Sequence, residues 1–196
     1  MATLLLLTGC AGQLVVSKSD AFLQKYDLPE PSMEAFVYCH DHGCRERPVL
    51  SLTGADWDRI KGPLAEKANS PAEERGNLAR AMAELEKIGG EATGTTADRA
   101  RTAFDNDHQL DCIDESANAL GLLLLLQQQG LIHHHRVEGV EGRGGAFEWP
   151  HFAASLKEVA SGEVFAFDSW FHDNGAEAEV MPLPVWKAGW NPPGFD

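Results

Sequence analysis

From Ala117 to Gln129 the chain turns almost wholly apolar, with five consecutive leucines from Leu122 to Leu126. Asp111 ahead of this run is a good N-cap and Gly130 behind it a good stop, which predicts a helix over Cys112 to Gln129. It is too short, and too polar at its start, to span a bilayer, so it reads as the central helix of a core. Upstream, Thr53 with Asp56 three residues later opens a helix carrying Trp57, Ile60 and Leu64, which Gly62-Pro63 should kink or split. Ser70-Pro71-Ala72-Glu73 opens a second, in which Leu78, Met82 and Leu85 recur at helical spacing until Gly89-Gly90 end it. A glycine-containing turn at Thr93 to Thr96 precedes a short helix over Ala97 to Phe104. After Gly130 the pattern becomes extended. Strands are expected at Leu131 to Val137, His151 to Val159 and Val164 to Phe171, with a glycine-rich loop from Glu138 to Gly145. Phe36 to Cys39 and Val49 to Leu52 are short extended stretches. Ala11 to Pro31 reads as a tether or edge element, and Pro182 to Asp196 as ordered coil laid over the domain.

Helices followed by strands predict an α+β fold, with the cysteine-bearing helix packed on an antiparallel sheet. The 196 residues fit a single domain over 32–196, preceded by a tether over 1–31. With 16 Lys and Arg against 30 Asp and Glu, the formal charge of −14 disfavours nucleic acid and anionic membrane surfaces as partners.

The four cysteines divide by context. Leu7-Thr8-Gly9-Cys10 resembles the lipobox of bacterial lipoproteins, whose cysteine is lipidated after cleavage before it. No Lys or Arg precedes the apolar run, so either the true start lies upstream or this is a short cytosolic N-terminus; the first is the expectation, with the mature protein beginning near Cys10 in an oxidising compartment. Cys39 and Cys44 flank His40-Asp41-His42-Gly43 and can close a small disulfide; the rival is a metal site of Cys39, His40, His42 and Cys44, whose spacing is not that of a zinc knuckle. His133-His134-His135 alternate faces in a strand, which leaves a metal short of ligands there.

Cys112 opens the apolar helix. Unpaired N–H groups and the helix dipole lower a thiol pKa at that position, whereas the charges of Asp111, Asp114 and Glu115 raise it. His151 begins one strand and Asp168 lies near the end of the next, 17 positions on (168 − 151). A hairpin turning near the midpoint sets the two opposite or diagonal on one face. Cysteine, histidine, aspartate is the order of nucleophile, base and orienter in thiol hydrolases. The backbone N–H of Cys112 and, as nearest side chain, Gln109 are the candidate oxyanion donors. Trp149, Trp170 and Trp186 can wall a groove or fill the core.

Asp111-Cys112-Ile113-Asp114-Glu115, Trp149-Pro150-His151-Phe152-Ala153 and Val164-Phe165-Ala166-Phe167-Asp168-Ser169-Trp170 resemble the bacterial transglutaminase-like cysteine proteinases of the papain-like/transglutaminase-like superfamily, over roughly residues 100 to 175. The resemblance implies a papain-like core, Cys112 as nucleophile, His151 as base and Asp168 as its orienter. Relatives include periplasmic proteases, some of them calcium-dependent, which makes Asp111 and Asp114 the candidate calcium ligands, fewer than an all-oxygen site needs. The chain also resembles a group of proteobacterial lipoproteins with similar Cys-His-x-His/Tyr-Gly-Cys and Asp-Cys-Ile-Asp-Glu stretches. The expected function is a periplasmic, lipid-anchored cysteine hydrolase or acyl transferase acting on a protein or peptide of the cell envelope, without an organic cofactor. The alternative is a catalytically idle envelope lipoprotein with a binding or structural role.

Overall fold

A computed structural model describes residues 16–102, 108–145 and 150–194. The lipobox Cys10 and Trp149 lie outside them.

The apolar run forms α4, Cys112–Gln128. Asp111 caps it through a capping box: its carboxylate accepts the N–H groups of Ile113 and Asp114, and the Asp114 carboxylate accepts the N–H of Asp111. From Ala119 to Leu126 the helix is apolar all round because it is enclosed nearly all round, with only Leu124 half-buried. One flank, with Leu122 and Leu126, meets Leu78, Met82 and Leu85 of α3 (Pro71–Thr93) and Ala154, Leu156 and Phe167 of the sheet. Ala117 and Leu120 instead meet Phe22, Leu23 and the Cys39–Cys44 pair.

The sheet is an antiparallel meander of β3 (His135–Arg143), β4 (His151–Glu158), β5 (Val164–Asp168) and β6 (Glu179–Pro182). A second sheet pairs β1 (Phe36–Val37) with β2 (Val49–Leu50). The molecule is thus mixed α+β with two antiparallel sheets.

Several elements depart from the sequence reading. The expected tether contains α1, Lys18–Lys25, capped by Ser17 and burying Phe22 and Leu23. Its backbone lies so close to Gly139 that a Cβ there would come 2.7 Å from the Ser19 nitrogen, and Gly139 has a φ of +137°. Only glycine accepts both demands. The register of β3 against β4 shifts between Val137 and Gly139, so the presumed glycine-rich loop is a bulged continuation of the strand, while 131–134 are not extended ladder. Helix α3 runs through Gly89-Gly90 to Thr93 and stops at Gly94 in the left-handed conformation. A Cβ on Gly89 would lie 2.2 Å from the Tyr38 ring, so this glycine serves close packing, not termination.

Residues 97–102 form no helix, because their backbone groups are engaged elsewhere: Arg99 N–H donates to Gln109 Oε1 and Ala100 N–H to Asp173. As expected from Gly62-Pro63, α2 (Gly54–Lys61) gives way to a 3₁₀ turn at Gly62–Leu64. The tail is not coil throughout: β6 leads into α5, Leu183–Lys187, which buries Trp186 completely.

Candidate active site

Strand alternation sorts the site residues by face. Ala154, Leu156 and Phe167 share a cluster with α4, whereas Ala153, Ala166, Met181 and Trp186 cluster on the other face. His151 and Asp168 belong to the second face. Ala154 pairs with Phe167, which places Ala153 opposite Asp168 and His151 on the diagonal. Their side chains meet, His151 Nε2 to Asp168 Oδ2, at 2.6 Å, and both are buried.

Cys112 reaches this pair around the end of the sheet. The β4–β5 ladder begins only at Ala154, so β4 projects beyond it at His151 to Ala153. The Cys112 sulfur lies there, 3.9 Å from the Pro150 carbonyl, and the Phe152 N–H favours its thiolate. The sulfur therefore rests on the backbone groups flanking His151.

The ring has a defined proton arrangement. A carboxylate can only accept, so Nε2 carries the hydrogen and Nδ1 of the neutral ring keeps its lone pair. Nδ1 is buried and has no hydrogen-bond partner among the described residues. Trp170, Phe171 and Trp186 surround the imidazole at centroid distances of 4.6, 5.5 and 5.5 Å.

Burial pushes the Cys112 thiol up to about 12, reinforced by the charges of Asp111 and Asp168 and opposed by the Phe152 N–H. Helix-terminal stabilisation is outweighed here, and the site holds a neutral thiol.

The acidic residues around the cysteine have structural tasks. Cys39 and Cys44 are joined by a disulfide, and Asp41, His42, Gly43 and Cys44 all have positive φ. This left-handed loop aims successive N–H groups at the helix start: His42 and Cys44 donate to Asp114 at 2.8 and 2.6 Å, Gly43 to Asp111 at 3.0 Å. Carboxylates held this way are turned toward N–H dipoles, whose positive ends repel a cation; that is the position of Asp111 and Asp114, the two calcium candidates. The disulfide likewise takes both sulfurs from the rival metal set.

Gln109 is a correction to the expected oxyanion role. Its Oε1 accepts from Arg99 N–H at 3.0 Å and its Nε2 donates to Ala97 O and His108 O, so the amide ties residues 97–99 to His108. Two rings of the histidine triplet are also engaged: His135 Nδ1 lies 2.8 Å from Glu74 Oε1 and His134 Nε2 lies 3.0 Å from Ala68 O, while His133 is tied through its backbone N–H, which donates to Glu74. No group of three or more His, Cys, Asp or Glu converges as a metal site among the described residues.

Two features escaped the sequence reading. Glu115, one turn along α4 from Cys112, accepts from the Ser169 hydroxyl at 2.5 Å, beside buried Glu86, whose carboxyl burial pushes up to about 8. Trp186 donates its indole N–H to Asp168 Oδ2 at 2.7 Å. The spacing of carboxylates in different helices gives no sign of the first. A tryptophan embedded in a proline-rich tail was a signal for the second, read as filling or groove wall. Comparisons with protein-family models, with curated proteins and with solved structures found no match for this chain.

Proposed function

We propose that the protein is a cysteine hydrolase or acyl transferase with a papain-like/transglutaminase-like core, in which Cys112, His151 and Asp168 act as one unit. The observation that carries this reading is the buried His151–Asp168 pair, with Nδ1 left as the only uncommitted ring nitrogen and the Cys112 sulfur lodged on the backbone on either side of His151. Because the free thiol is protonated, His151 acts as a general base during attack. The Cys112 sulfur bonds to the substrate carbonyl carbon as its proton passes to Nδ1; that proton then goes to the departing amine or alkoxide, leaving a thioester. Water or a second amine, losing a proton to Nδ1, cleaves the thioester and returns the thiol. Asp168 holds the ring in the Nε2–H tautomer and balances the imidazolium. The Cys112 N–H, at a first-turn position without an intrahelical acceptor, supplies a donor for the oxyanion.

The lipobox resemblance at Cys10 and the Cys39–Cys44 disulfide support an oxidising, envelope location with a lipid anchor, and with it a protein or peptide substrate of the envelope.

One observation favours the idle envelope module: the raised Cys112 thiol, with Nδ1 not hydrogen-bonded to it. An activated ester such as 4-nitrophenyl acetate separates the readings by mass spectrometry. The hydrolase reading expects one acetyl group on Cys112, lost in Cys112→Ala, formed about 10²- to 10⁴-fold more slowly in His151→Ala. Equal acylation of wild type and His151→Ala supports the idle module.

A further inference from the structure

We infer that Trp186 is a positioning residue for the His151–Asp168 pair, so that the C-terminal segment completes the site; this rests on the catalytic reading above. One oxygen, Asp168 Oδ2, accepts from both His151 Nε2 at 2.6 Å and Trp186 Nε1 at 2.7 Å. Two donors on one oxygen fix the carboxylate's rotation, and the indole supplies the second without adding charge. So held, the carboxylate faces the Nε2 side of the ring and leaves the Nδ1 side open to a proton.

The segment bearing Trp186 is itself fastened to the strands that carry the site. Arg143, the cross-strand partner of His151, donates to the carbonyls of Trp186 and Trp190 at 2.8 and 2.7 Å. Its guanidinium also stacks 4.8 Å from the indole. Lys187 adds a hydrogen bond to the Gly142 carbonyl and an ion pair with Glu141. A core tryptophan that merely satisfied its N–H would need none of this fastening.

The test replaces the N–H while keeping the ring. Trp186→Phe, and in parallel the benzothiophene isostere of tryptophan at position 186, are compared with wild type in two measurements. The first is the tautomer of the His151 ring in the substrate-free protein, read by long-range ¹H–¹⁵N NMR; the second is the rate of Cys112 acylation. Wild type is expected to show the Nε2–H tautomer alone, and both variants a mixture, with acylation slowed about 10- to 100-fold by loss of a hydrogen bond to a charged group. The isostere keeps shape and volume, so it decides the matter if the phenylalanine variant misfolds. An unchanged tautomer with unchanged acylation in the isostere overturns the inference. Absence of acylation in wild type defeats the catalytic reading instead, and a tautomer shift then still assigns Trp186 the positioning of the pair.

Discussion

At the scale of single residues, the site is a contest of environments around one sulfur. Being placed at a helix start is not enough to activate Cys112, because burial and the charges of Asp111 and Asp168 outweigh the Phe152 N–H. With the thiol pushed up to about 12, the thiolate fraction grows with pH throughout the accessible range. Alkylation of Cys112 by iodoacetamide, which draws no help from a general base, should therefore rise about tenfold per pH unit between roughly pH 7 and 9. A plateau below pH 8 would mean a preformed thiolate and would contradict this picture. The cysteine, its Asp111 cap and the diagonal His151–Asp168 pair were legible in the sequence because each follows from local periodicity. Gln109 was misassigned because nearness in sequence says nothing of where an amide finds its partners. The Trp186 donor was misread for the same reason: the tryptophan in its proline-rich tail was noticed, but not that its indole N–H reaches Asp168, 18 positions earlier.

At the scale of elements, glycine was where sequence reasoning and structure parted. Gly89, Gly90 and Gly139 looked like breaks, yet two lie inside α3 and one inside β3, because the demand on them comes from a neighbour and not from the local chain. Gly89→Ala should destabilise the fold by about 1–3 kcal/mol, as the Tyr38 ring has to move, whereas Gly76→Ala, whose Cβ would meet only an arginine side chain at 3.6 Å, should not. Urea unfolding of the two variants checks this, and equal midpoints would refute it. The disulfide loop holds the N-terminus of α4 through three N–H groups. Replacing both Cys39 and Cys44 by Ser is expected to cost about 2–4 kcal/mol of stability and to loosen the first turn of α4. Hydrogen exchange at Ile113 and Asp114 would report it, and unchanged protection there would show that the loop does not hold the helix.

At the scale of the whole molecule, the α+β order of helices then strands was readable, since periodicity changes at Gly130, and so was a tail laid over the domain, while the fourth strand and the short helix α5 that bring it there were not. The charge of −14 also hides a buried acidic core. Burial pushes Glu86 up to about 8, Asp98 to about 7 and Asp114 to about 8, and raises Glu115 as well. A carboxyl raised in the folded state keeps its proton while the unfolded chain releases it. The folded form then binds more protons, and its stability falls as pH rises from about 4.5 to about 8. Glu74, Glu84 and Glu141 are lowered, so their contribution is lost only on the acid side, below the ordinary carboxylate range. Thermal unfolding should accordingly be highest near pH 5 and decline toward pH 8. Glu86→Gln should flatten that decline by about one proton's worth of slope, and an unaltered slope would remove Glu86 from the explanation.

The central claim is that Cys112, His151 and Asp168 work together, and the most direct measurement is a mutant cycle on the rate of Cys112 acetylation. His151→Ala, Asp168→Asn and the double variant are compared with wild type. If Asp168 acts only through the ring, the double variant reacts no more slowly than His151→Ala alone, although Asp168→Asn by itself slows the reaction at least tenfold. Single variants that acylate at the wild-type rate, or effects that simply multiply in the double variant, would contradict the account.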